Sequence, residues 1–340
     1  MDIGLLVVLI LVLLLPLTNR VVERNLELFI FCSGLAAAWI TEVMSAALFL
    51  ESAKDPITIT VAVLIAGLLF KWLHSPIVRT ITTISSLLPY RVFIAFCVIL
   101  LGALSSVITA IIAALVLVLI VSSLQFERKA MIRFVILSCY SIGLGAALTP
   151  IGEPLSTVAI SKLNGDFFYF IRLLGPEIFI ALVAFGLLAS YFVAPHSKNN
   201  SNLVIRNNES ESYEDILTRA LKIYFFVMGL TFLGAGFEPL INRYFIHLNP
   251  SLLYWINMIS AVLDNATLTA AEISAVMSHS TIRSILLGLL ISGGMLIPGN
   301  IPNIIAAGKL KITSKEWARF AIPIGFLTML LYYFAMMLFR

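Results

Sequence analysis

The sequence predicts an all-α polytopic membrane protein made of two inverted repeats. Each repeat holds a re-entrant helical hairpin and a broken transmembrane helix, giving about eight spans and two hairpins. Two observations carry the prediction. The chain is 60% hydrophobic and only 12% charged, with a mean hydropathy of +1.04, whereas a soluble domain carries about a quarter charged residues. And two segments, TPIGEPLSTVAISKL from Thr149 and IPGNIPNIIAAGKL from Ile297, interrupt apolar sequence by one design. Each reads Pro-x-x-x-Pro (Pro150/Pro154 and Pro298/Pro302), then small and polar residues, then Lys-Leu. Backbone groups freed in a bilayer cost several kcal/mol apiece unless buried in protein or facing a cavity. A helix broken in corresponding places of two halves therefore points to the binding site of a secondary transporter.

Plain spans are expected at 3–17, 26–48, 56–73, 167–194, 216–237 and 317–339. The N-terminal run has no basic leader and no small-residue cleavage site, so it reads as the first membrane helix. Stretches 130–163 and 281–310 are too long for one span and contain the breaks. Stretches 92–123 and 250–278 are too long to cross once upright and too short to cross twice. In the first, the helix before Ser105 reaches only about 20 Å, short of the roughly 30 Å hydrocarbon core. A hairpin entering and leaving on one side, with a polar tip at mid-membrane, suits that length. Charge supports the choice: with both stretches as hairpins and both termini extracytoplasmic, most of the 22 Lys and Arg face the cytoplasm, whereas single crossings divide them almost evenly.

The domain plan that follows is scaffold helices at 1–90, a first transport half at 91–195, a cytoplasmic linker at 196–215, a scaffold helix at 216–248 and a second transport half at 249–340. The linker is the one polar tract, and its sequons at Asn199 and Asn208 are not expected to carry sugar on that side. Cys32, Cys97 and Cys139 lie in apolar segments as small hydrophobes, and no metal-ligand spacing is present. The basic balance, with a pI near 9.0, belongs to cytoplasmic loops and not to nucleic-acid binding. The expected location is the cell membrane of a prokaryote.

The hairpin tips read Ser105-Ser106-Val107-Ile108-Thr109 and Asp264-Asn265-Ala266-Thr267-Leu268-Thr269. Hydroxyls, amides and freed carbonyls are oxygen donors suited to a hard cation such as sodium. Helix N-termini after the breaks would instead attract anions, and the hydroxyls could equally serve tight helix packing. Four carboxylates fall in apolar sequence: Glu153 in the first break, Asp264 at the second tip, Glu272, and Glu42 deep in the second span. Ionisable residues within a membrane mark proton or cation sites by default, although Glu272 and Glu42 also suit a structural pairing. His74, His196, His247 and His279 fall at span ends or in loops as interfacial anchors. Lys162 and Lys309 follow the breaks at matched positions and are expected to snorkel to the interface.

These motifs resemble the ion transporter superfamily, which includes divalent anion:sodium symporters, NhaD-type sodium/proton antiporters and arsenite permeases. TPIGEPLSTVAI looks like its TPxGxPxN-type unwound helix, IPGNIPNIIAAG like the second copy, and LSSVIT and LDNAT like the two tips. The resemblance implies a homodimer whose scaffold holds an elevator-like transport domain. It implies one sodium site at Ser105, Ser106, Thr109 and Gly152, and another at Asp264, Asn265, Thr267 and Asn300, with Glu153, Ser156 and Asn303 beside them in the breaks. Ser106 and Ser156 stand where the superfamily carries Asn, and Glu153 adds a charge where dicarboxylate symporters are neutral. A pocket lined by Glu153 and Asp264 would repel a dianion but could exchange protons for a cation. The expected activity is therefore sodium (monovalent cation):proton antiport, with sodium-coupled symport of a di- or tricarboxylate or another oxyanion as the alternative. No nucleophile with a base, catalytic dyad or metal set marks an enzyme. No cofactor is expected beyond sodium itself.

Overall fold

The computed structural model describes residues 2–19, 21–22, 25–124, 126–193, 212–244, 248–258 and 265–338, and all regular structure among them is helical. In chain order the helices are α1 (Asp2–Thr18), α2 (Leu26–Ile40), α3 (Ala46–Leu87), α4 (Tyr90–Ile108), α5 (Ala110–Ser123), α6 (Arg128–Ala146), α7 (Pro154–Lys162), α8 (Tyr169–Phe192), α9 (Tyr213–Tyr244), α10 (Pro250–Ile256), α11 (Asn265–Glu272), α12 (His279–Gly293), α13 (Ile301–Leu310) and α14 (Ser314–Leu338). Six of them, α3, α4, α6, α8, α9 and α14, are long and apolar enough to cross a bilayer. The chain is a multi-pass helical membrane protein.

Several boundaries differ from expectation. The second span stops at Ile40, where Thr41 Oγ1 donates back to Ala37 O at 2.9 Å and the chain turns. Glu42 sits in that turn, exposed, at φ 59°, so it is not deep in a span. The span expected at 56–73 is the middle of α3, whose 42 residues run through Pro56 and Pro76, about 63 Å at 1.5 Å per residue. α9 starts inside the expected linker. Ser212 Oγ accepts from Asp215 N at 3.0 Å while Asp215 Oδ2 accepts from Ser212 N at 3.1 Å, a reciprocal cap. The rest of that linker, with both sequons and His196, lies outside the described residues, as does His247.

Ion pairs and hydrogen bonds sort the helix ends into two faces. On one, the Arg128 guanidinium donates to Glu316 at 2.8 and 3.0 Å and to Leu310 O and Lys311 O, and Arg133 donates to Phe192 O. The starts of α6 and α14 thus meet the ends of α8 and α13. On the other, Tyr169 Oη lies 3.0 Å from His279 Nδ1, Arg283 pairs with Glu177 at 3.5 Å, and Tyr332 Oη donates to Glu177 O. There the starts of α8 and α12 meet the end of α14.

α6 lies at the centre and is almost wholly buried, whereas α14 leaves most of its length exposed on the protein's surface. Small residues explain the difference, because without a hydrophobic drive between helices in lipid, close backbone approach supplies the attraction. A Cβ on Gly145 would lie 1.8 Å from Gly102 O, so α4 and α6 touch backbone to backbone. Ser141 Oγ donates to Val98 O at 2.8 Å and Ser105 Oγ to Ile142 O at 2.9 Å across the same crossing. In the later half, α10 crosses α12 in the same manner at Gly288, with Ser292 Oγ donating to Asn257 O at 2.8 Å. The packing is reciprocal between halves: α5 lies on α13 and α11 on α7, while α3 covers α5 and α9 covers α11.

Candidate functional site

Both breaks are built on one plan. α6 ends at Ala147 and the next helix is capped by Glu153, while α12 ends at Gly294 and the next is capped by Asn300, six residues from cap to cap in each case. Both N-caps are extended, at φ −156°, ψ 160° and φ −154°, ψ 145°. Pro154 is the first helical residue of α7 and Pro302 the second of α13, positions where a missing N–H costs nothing. Structural equivalence thus pairs Gly152 with Gly299, Glu153 with Asn300 and Ser156 with Asn303. That is one residue off the Pro-x-x-x-Pro register, which set Gly152 against Asn300.

Ser156 and Asn303 close the breaks. Ser156 Oγ donates to Ala147 O at 2.9 Å, and Asn303 Nδ2 donates to Gly293 O and Leu296 O, both at 2.9 Å. Each ties the second half-helix to the carbonyls left open at the end of the first, the satisfaction that a bilayer demands. Asn303 keeps Oδ1 without a partner among the described residues.

The first tip and the first break share hydrogen bonds. Between α4 and α5, Thr109 stands alone at φ 73°, ψ 150°. A β-branched residue at positive φ is an outlier worth on the order of 1–3 kcal/mol, retained only where its surroundings hold it. Three contacts do so: Thr109 Oγ1 accepts from Ile112 N at 3.4 Å, Ala110 N donates to Gly152 O at 2.8 Å, and Thr149 Oγ1 donates to Ser106 O. Gly152 is held tightly, since a Cβ there would lie 2.0 Å from Ala146 O. Thr109, Gly152 and Glu153 border a cavity of about 10 Å³, closed by Ile301 of α13, by Ile59 and Val63 of α3 and by Ile223 of α9. That is about the least volume that admits a water. Glu153 is only 3% exposed. Of the remaining first-tip residues, Ser105 is the α4–α6 staple, and the Ser106 hydroxyl bonds its own helix at Ala103 O, 2.8 Å away.

Asp264 lies outside the described residues. Its neighbour Asn265 is 2% exposed and stands beside the second break, where a Cβ on Gly293 would meet Gly299 O at 2.9 Å and Asn265 Nδ2 at 3.5 Å. Thr267 is buried further along α11, the helix that packs on α7 and α9. Asn300 crosses to the other half: a Cβ on Gly143 of α6 would lie 2.3 Å from its Nδ2. The two breaks therefore meet at the centre of the molecule, through Asn300 on α6 and Ile301 at the first cavity.

Lys162 does not snorkel. Its Nζ donates to Ala270 O at 2.9 Å and to Gly234 O at 3.4 Å, holding the last turn of α11 against α9, where a cation also complements the helix dipole. Sequence reasoning also passed over Thr149, Gly143, Gly293 and Gly299; the only readable signal was a small residue within a turn of each break. A larger groove of about 690 Å³ lies between α8 and α14, bordered by Phe185 and Leu331. No residue of either break or tip borders it, and its apolar lining suits lipid better than chemistry.

A family model described as a protein of unknown function, DUF1646, matches residues 3–339. No curated protein matches the chain.

Proposed function

We propose that this chain, which belongs to the DUF1646 family, is a sodium (monovalent cation):proton antiporter that works by elevator-type alternating access as a homodimer. The cavity at the first break carries the reading. A strained Thr109, a glycine without room for a side chain and a buried carboxylate converge on a space fit for one small ion. Thr109 Oγ1, freed carbonyls and the Glu153 carboxylate are hard oxygen donors, and a carboxyl that releases one proton as one sodium enters keeps the charge balanced. A carboxylate at that space repels a dianion, which favours antiport over symport.

The wall that α3 and α9 give this cavity is aliphatic, Ile59, Val63 and Ile223, a surface along which a packed body can slide without breaking hydrogen bonds. Re-entrant, inverted hairpins are supported by the chain's course. α4 runs alongside α6 from the Arg128 face and α5 leads back to the start of α6, while α10 runs alongside α12 from the His279 face and α11 leads back to the start of α12. The Arg128 face also carries Lys129, Arg133, Lys309, Lys311, Lys315 and Arg319, which makes it the cytoplasmic one. Cysteines placed at Lys129 and Lys311 should react with an impermeant thiol reagent only from the cytoplasm, and those at Arg172 and Ser280 only from outside. Reaction of all four from one side would discard this topology.

In proteoliposomes an imposed sodium gradient should move protons the opposite way with no organic anion present, read with a pH-sensitive dye. Sodium-dependent uptake of a di- or tricarboxylate without proton movement would replace antiport by symport.

A further inference from the structure

The second half holds a buried polar cluster on the helices that flank the second break, and we infer that it is a site where a proton and a monovalent cation compete for the carboxyl of Glu272. Three buried polar side chains mark it, Thr269 sharing with Glu272 the helix face that positions three apart have in common. Glu272 closes α11, Thr269 lies one turn earlier on the same helix, and Asn257 follows α10. Asn257 and Thr269 are fully buried and Glu272 is 6% exposed. The Glu272 carboxyl faces the Asn257 amide without a well-formed hydrogen bond closing between them. Glu272 Oε2, Thr269 Oγ1 and both polar atoms of the Asn257 side chain have no partner among the described residues.

Such atoms are uncommon in a native interior and each calls for a ligand. Carboxylate, hydroxyl and amide oxygens together are the donor set of a hard cation. In its absence a proton on Glu272 discharges the carboxylate, which low-dielectric burial otherwise penalises.

The cluster is held from every side. Gly288 lets α10 approach α12, with Asn257 Cβ 3.2 Å from where a glycine Cβ would stand, and Ser292 Oγ donates to Asn257 O at 2.8 Å. Lys162 of α7 fixes Ala270, two residues before Glu272. The charged groups on the surrounding elements are Lys162 from α7 and Glu238 and Arg243 from the later part of α9. On α12, His279 is engaged by Tyr169 and Arg283 by Glu177, and α10 has no charged residue. When sodium enters, the O–H bond of Glu272 breaks and its proton passes to water, one positive charge replacing another.

This assignment rests on the antiport reading for its role in turnover, but its test does not need transport. Purified protein in lipid nanodiscs, in weakly buffered solution with a pH indicator, should release protons when sodium chloride is added and not when choline chloride is added. Glu272→Gln should lose one of those protons and Glu272→Asp should keep it, and in a Glu153→Gln background, which has already lost any proton of the first cavity, adding Glu272→Gln should remove one more. Asn257→Ala and Thr269→Val should each raise the sodium concentration needed by roughly tenfold. A Glu272→Gln protein that elutes as the wild type does and releases as many protons at the same sodium concentration would overturn the site. If that occurs while wild-type vesicles exchange sodium for protons, antiport stands without Glu272. If wild-type vesicles move no protons, antiport falls, and a Glu272-dependent release in nanodiscs still upholds the site.

Discussion

Glu153→Gln should reduce sodium-driven proton movement to the level of empty vesicles while leaving the protein folded. Glu153 is the buried carboxylate at the small cavity of the first break, which the strained Thr109 also borders. Replacing its titratable oxygen by an amide removes the proton that must leave when a cation arrives. The fold should tolerate the change because the equivalent position of the second break is already an amide: Asn300 holds the same extended backbone, at φ −154° and ψ 145°. Glu153→Asp should retain partial exchange. Wild-type exchange in a correctly folded Glu153→Gln protein would take this residue out of the mechanism.

Gly145→Ala should be the most damaging of the conservative changes. Its Cβ would fall 1.8 Å from Gly102 O, a backbone atom that cannot rotate away. Relief requires α4 to move off α6, which stretches the Ser105–Ile142 and Ser141–Val98 hydrogen bonds together. Overpacking a tight interior, backbone shifts included, costs about 1–3 kcal/mol and occasionally more. Gly308→Ala is the matched control, since no atom lies within 4 Å of its added Cβ and alanine in a helix is favoured by roughly 0.5–1 kcal/mol. Thermal unfolding in detergent, followed by tryptophan fluorescence, should show a large fall in Tm for Gly145→Ala and none for Gly308→Ala. Equal behaviour of the two would refute the close crossing.

The breaks were legible because proline and glycine act locally: a missing N–H at the first turn of a helix reads the same in any surroundings. Their register was not, because proline fits either of the first two helical positions, and α7 uses one while α13 uses the other. The end of α2 was hidden by hydropathy, which averages over Thr41-Glu42-Val43, although the charge of Glu42 was itself the sign of a turn. The start of α9 was readable as Ser212-x-x-Asp215 and was overlooked inside a polar tract. Thr109 could be named as a tip residue, but its positive φ depends on a hydrogen bond from Ala110 to Gly152, far along the chain. Lys162 was misread for a similar reason. Whether a lysine at a helix end turns outward or inward depends here on a carbonyl 108 residues away.

The reciprocal packing of α5 on α13 and α7 on α11 sets the order in which this protein can be completed during synthesis. When the ribosome has made residues up to Phe192, α6 is in place but the notch at Gly143 waits for Asn300, and α5 and α7 lack the helices that later cover them. The first half must reside in the bilayer with its central helix incompletely enclosed until nearly the whole second half has been inserted. The contacts that join the two halves span over a hundred residues, so topology makes their formation slow. The two halves are interlocked like a clasp, and a chain truncated between them would leave bare the faces of α5 and α7 that α13 and α11 fill.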